Sequence, residues 1–75
     1  MTVKELQQAI DDLPVNKTVY CVKWHDSTTN SWMFAQAHGL DRLFEDEETV
    51  EQIVKKTCLS LQLPFKNYKI VKIQK

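Results

Sequence analysis

The chain has one glycine, two prolines and two cysteines among its 75 residues, and each scarcity removes a class of function. A single glycine cannot build a phosphate-cradling loop, which needs several backbone approaches free of Cβ atoms. Two cysteines make no disulfide scaffold. The first residues, MTVKELQQAIDD, are acidic and amphipathic, whereas a secretory signal starts basic and continues apolar. These features predict a cytoplasmic chain with reduced thiols. No stretch approaches the roughly 18 apolar residues of a membrane-spanning helix, so no membrane partner is expected. Ten acidic residues balance ten basic ones, leaving no net field to gather nucleic acid or an anionic surface.

What is present suits an ordered fold: 43% hydrophobic and 27% charged residues are the proportions of a globular protein. The length allows one domain, 1–75. A chain this short buries only about 60% of the surface it exposes when unfolded. Little interior is left over for an enclosed active site or a cofactor. The expectation is a non-enzymatic protein without cofactor or metal.

Thr2 followed by Glu5 is a capping-box pair, with Met1 and Leu6 placed to form its hydrophobic staple. Val3, Leu6, Ile10 and Leu13 then recur at helical spacing until Pro14 and Asn16 stop the helix. The segment Lys17 to Gly39 reads as a β-hairpin. Thr18, Val19, Tyr20, Cys21, Val22 and Trp24 favour a strand, and Asp26 to Asn30 has the chemistry of a turn. Pairing Asp26 with Ser31 sets Trp24 opposite Met33, Val22 opposite Ala35 and Tyr20 opposite Ala37. That apolar face is assigned to the helices. The reverse face then carries Cys21, Lys23, His25, Trp32, Phe34, Gln36 and His38, and a slip of one residue would exchange the two sets.

Gly39 lets the chain turn, and Leu40 to Phe44 reads as a turn or a short strand. Asp46 is placed as a helix N-cap, with Glu47 and Glu48 where the helix dipole favours negative charge. Val50, Ile53, Val54, Thr57 and Leu61 form the apolar stripe of this second helix, and Pro64 marks its end. Tyr68 to Lys75 reads as a closing strand, with lysines of the kind that keep an edge strand from pairing elsewhere. The predicted fold is α+β: an antiparallel sheet of three, or with 40–45 four, strands. The order is α-β-β-(β)-α-β, and both helices lie on one face.

Cys21, His25, His38 and Cys58 are residue types that bind zinc, but Cys21 and His25 stand roughly 13 Å apart along a strand, too far to share one ion. A Cys21–His38 diagonal would be the nearest approach to an activated thiolate, yet no oxyanion-stabilising donors accompany it. The order α-β-β-β-α resembles that of double-stranded-RNA-binding domains in topology. Those domains begin their second helix with lysines, where this chain has Glu45, Asp46, Glu47 and Glu48, so no residue is carried over from them.

Trp32 and Phe34, flanked by Lys23, His25, Gln36 and His38, form the candidate partner-binding face, since aromatic rings anchor protein interfaces. Charge is segregated around it. Residues 41–51 hold six acids and one base, and residues 55–75 hold six lysines and no acid. Glu45, Asp46, Glu47 and Glu48 on one side, and Lys66, Lys69, Lys72 and Lys75 on the other, would steer a partner into place. The expected function is that of a regulator, adaptor or inhibitor that binds another protein, in a size range common among phage and mobile-element products. A homodimer through the same face is a second use of it. Nucleic-acid binding through the strand aromatics and C-terminal lysines is the alternative.

Overall fold

A computed structural model describes residues 2–75; the predicted Met1–Leu6 staple involves a residue outside that range. The elements are α1 (Val3–Asp11), β1 (Thr18–Asp26), β2 (Ser31–Phe34), α2 (Glu47–Leu61), a single 3-10 turn (Phe65–Asn67) and β3 (Tyr68–Gln74). The sheet has three strands in the order β2-β1-β3, and both pairings are antiparallel. The fold is thus α+β in the expected order, and residues 40–45 contribute one isolated bridge, Tyr20 to Phe44, in place of a fourth strand.

The helix starts follow their predicted chemistry. The Thr2 side chain accepts from the Glu5 amide at 3.1 Å while Glu5 accepts from the Thr2 amide at 3.1 Å. Asp46 caps α2 by accepting from the Thr49 amide and, at 2.6 Å, from its hydroxyl. Helix α2 ends before Pro64, at Gln62, whose φ of 56° closes the last turn in a left-handed conformation, the usual geometry at this position.

The hairpin register is the expected one: Lys23 pairs with Phe34, Trp24 with Met33, His25 with Trp32 and Asp26 with Ser31. The Ala35 amide donates to the Val22 carbonyl at 2.9 Å. Beyond Ala35 the chain leaves β1. The place beside Tyr20 goes to Phe44, which exchanges two backbone hydrogen bonds with it at 2.7 and 2.8 Å, so Tyr20 does not face Ala37. Consecutive positive φ values at His38 and Gly39, 61° and 76°, turn the intervening segment out of the sheet.

The even-numbered side of β1 packs on α2. Val22, Ala35, Leu40, Phe44, Val50, Val54 and Cys58 form one buried cluster, with Tyr20, Ile53, Tyr68 and Ile70 packed against it. Burying an aliphatic side chain of this size contributes about 1.5–3 kcal/mol, and this cluster is the larger of the sheet's two apolar layers. Val19 and Cys21 point the other way, because side chains alternate along a strand, and they are equally buried at 3% and 1% exposure. Leu6 of α1, 1% exposed, also lies outside the α2 cluster. Helix α1 therefore covers the odd face, opposite α2. The two helices do not share one face as the sequence led us to expect, because β1 is apolar at both parities over Val19 to Val22 and needs cover on each side.

Candidate functional site

Both helices cover the same half of the sheet, leaving open the end that carries the 27–30 turn. On the odd face of that end stand Lys23, His25, Trp32 and Phe34, joined by Lys69 of β3, which pairs with Lys23. Trp32 remains 37% exposed. Its ring meets His25 edge-on, with centroids 5.2 Å apart and planes at 62°. The Lys69 ammonium lies 4.4 Å from the Trp32 centroid, and the Lys23 ammonium lies 4.8 Å from that of Phe34. His25 Nε2 donates to Asn30 Oδ1 at 3.1 Å, tying the ring to the turn. That turn is braced by the Thr28 amide donating to Asp26 Oδ1 at 2.9 Å. The face is a short ladder of rings, each under a cation, and neither ring is buried between sheet and helix.

Gln36 and His38 are not part of this ladder. Strand β2 ends at Phe34, and both residues lie in the following loop, where they line a groove of about 430 Å³ with Trp24, Met33, Ala35, Leu40 and Tyr68. The groove is built on the even face, which the sequence reading gave wholly to the helices. Helix α2 covers Val22 and Ala35 but stops short of Trp24 and Met33, left 38% and 42% exposed. Alternation alone assigned Trp24 to the right face; it carried no information on how far along β1 the helix would reach.

The charged residues divide into structural and free ones. Glu45 pairs with Lys17 at 2.8 Å, which holds its carboxyl below the usual range. The Asp46 carboxyl is lowered chiefly by the Thr49 side chain it accepts from. Glu47 and Glu48 are exposed in the first turn of α2. Lys75 donates its ammonium to the Asp11 carbonyl at 3.0 Å, anchoring the end of α1. Lys66 and Lys72 are exposed and form no ion pair among the described residues.

The cysteines are interior. Burial pushes both thiols up, away from the thiolate form that nucleophilic chemistry needs. The Cys21–His38 diagonal does not form, because His38 has left the sheet. Among the described residues, no group of three His, Cys, Asp or Glu side chains is placed to hold a metal ion, and no helix is long and apolar enough to cross a membrane.

A second apolar area lies elsewhere. Leu59, Leu63 and Phe65, exposed to 81%, 36% and 46%, border a shallow depression of about 290 Å³ with Lys55 and Cys58. Leu59 falls outside the Val50–Val54–Cys58 stripe, so helical spacing alone marks it as outward-facing. Compared with known protein families, curated proteins and solved structures, the chain matches none.

Proposed function

We propose that the chain is a small protein-binding module whose contact region is the turn-bearing end of the sheet. The observation that carries this reading is the exposure of Trp24, Trp32 and Met33, at 38%, 37% and 42%, on two faces of one sheet end. Large apolar side chains gathered at one place and rimmed by Lys23, His25, Gln36 and His38 have the make-up of an interface. The ring ladder offers a flat, polar-edged contact, and the groove beside Met33 offers a concave one. A regulator, adaptor or inhibitor of a larger assembly would act in this way, with Glu47, Glu48, Lys66 and Lys72 steering its approach.

Affinity capture with wild type, Trp32→Ala and Trp24→Ala tests the reading. Each variant is first checked for native circular dichroism. The expected result is a partner held by wild type and lost from at least one folded variant, since a hot-spot ring contributes about 2 kcal/mol or more. Equal capture by all three folded proteins would overturn it.

One observation favours a second reading. Lys69 and Lys23 stand over Trp32 and Phe34, and interleaved cations and rings are what single-stranded nucleic acid stacks upon. On that reading a gel-shift titration gives binding that falls steeply with salt and disappears in Lys69→Glu. No shift with any DNA or RNA at low salt disposes of it.

A further inference from the structure

Lys23 and Lys69 are direct partners in the β1–β3 ladder, so their side chains leave the sheet side by side on one face. Like charges opposite each other on paired strands repel. No acid relieves them. The open end of that face is built from Lys23 and His25 of β1, Trp32 and Phe34 of β2 and Lys69 of β3, and neither lysine makes an ion pair among the described residues. The two ammoniums are drawn over rings instead, Lys23 over Phe34 at 4.8 Å and Lys69 over Trp32 at 4.4 Å. A ring attracts a cation through its quadrupole and leaves the charge unneutralised. A sequence that keeps an unrelieved repulsion at an uncovered place marks that place for function.

Charge and spacing together select the occupant. Trp32 and Phe34 are two residues apart on β2, about 7 Å along the strand, and the ammoniums seated over them are separated by a similar length. Two carboxylates at alternate positions of an extended chain have that same separation and point the same way. Nucleic acid fits less well. A base stacking on Trp32 competes with Lys69 and with the His25 ring, 5.2 Å away. The basic track that a single strand follows does not continue either, because Lys66 lies in the 3-10 turn and Lys72, three residues from Lys69, leaves the opposite face of the sheet. A second copy of the chain meeting this one face to face would add two more cations. We propose that the Lys23–Lys69 face receives an extended acidic segment of a partner protein, with carboxylates two residues apart, one on each ammonium. This rests on the reading of the chain as a protein-binding module and names the chemistry of the partner at its ring-bearing face.

The probe is a short peptide of threonine with two glutamates separated by one residue. Three controls accompany it: the same peptide with adjacent glutamates, whose side chains point to opposite faces, the same peptide with glutamine for both, and a short oligothymidylate. Titration followed by NMR should move the signals of Lys23, Trp32 and Lys69. Affinity for the probe should exceed that for the adjacent-glutamate peptide by about threefold and that for the glutamine peptide by about tenfold, the effect of one and of two exposed ion pairs. Lys23→Gln and Lys69→Gln, each confirmed as folded by circular dichroism, should weaken binding of the probe by about threefold. Lys69→Arg should retain it. Lys72→Gln makes the same change of net charge on the opposite face and should leave affinity unaltered. The proposal is overturned by no binding, by equal binding of the three peptides, or by equal losses in Lys72→Gln and Lys69→Gln. Preference for the oligothymidylate would overturn it in favour of nucleic acid. A captured partner lost from Trp32→Ala, together with equal binding of the three peptides, would keep the protein-binding reading and remove the acidic occupant.

Discussion

Lys69 and Trp32 come from the two edge strands and meet across β1, the ammonium 4.4 Å from the ring centroid. The contact spans the sheet's width and ties β3 to β2, which share no hydrogen bonds. A cation over a partly exposed indole contributes about 0.5–1 kcal/mol. Lys69→Gln is therefore expected to lower stability by about that amount in urea denaturation, and to shift the Trp32 emission to longer wavelength as the ring gains water. Trp24→Phe in the same background separates the two indoles. An unchanged spectrum would mean that the ammonium does not shield the ring.

Within α2, position decides outcome. Val54 is 1% exposed and Leu59 is 81% exposed. Val54→Asp places a carboxylate in the cluster without a partner, and loss of the folded state is expected in circular dichroism. Leu59→Ser should change stability by no more than about 0.5 kcal/mol. A folded Val54→Asp would show that the α2 layer is not the core.

Acid sensitivity follows from the carboxylates. Thr2 lowers Glu5, Lys17 lowers Glu45 and Thr49 lowers Asp46. A carboxyl lowered in the folded state binds its proton more readily when unfolded. Its contribution is present above the ordinary carboxylate range and is lost as pH falls through the folded value. The melting temperature should therefore fall on acidification below about pH 4. Asp46→Asn keeps the capping acceptor but cannot titrate, so its melting temperature should fall less steeply over the same range. Parallel curves for the two proteins would remove Asp46 from the cause.

The two thiols test the interior. Cys21 and Cys58 are 1% and 5% exposed, and burial raises both. Native protein is expected to react slowly with iodoacetamide at neutral pH and both cysteines to react fully in denaturant. Rapid alkylation of Cys21 with the fold retained and partner binding lost would reopen a chemical role for it.

Much of this architecture was legible in the residues. The capping pairs, the turn at Asp26 to Asn30 and the alternation around it were enough to set Trp32 and Phe34 opposite His25 and Lys23, away from α2. Local chemistry and a period of two carry that information. They do not carry reach. Nothing in the alternation of β1 says that α2 ends before Trp24, that Phe44 replaces Ala37 beside Tyr20, or that α1 crosses to the far side. Those depend on how segments distant in sequence share a limited apolar surface. Val19 and Cys21, apolar on the parity assigned to solvent, were the available sign that the second face also needed a cover.

Neighbouring residues of β1 serve different layers: Cys21 lies under α1 and Val22 under α2. Neither helix can detach without baring one side of a strand whose other side the second helix still needs. Partial opening therefore gains little before it becomes complete, and the slowest-exchanging amides of Cys21 and Val22 should report one and the same event, the loss of the entire fold.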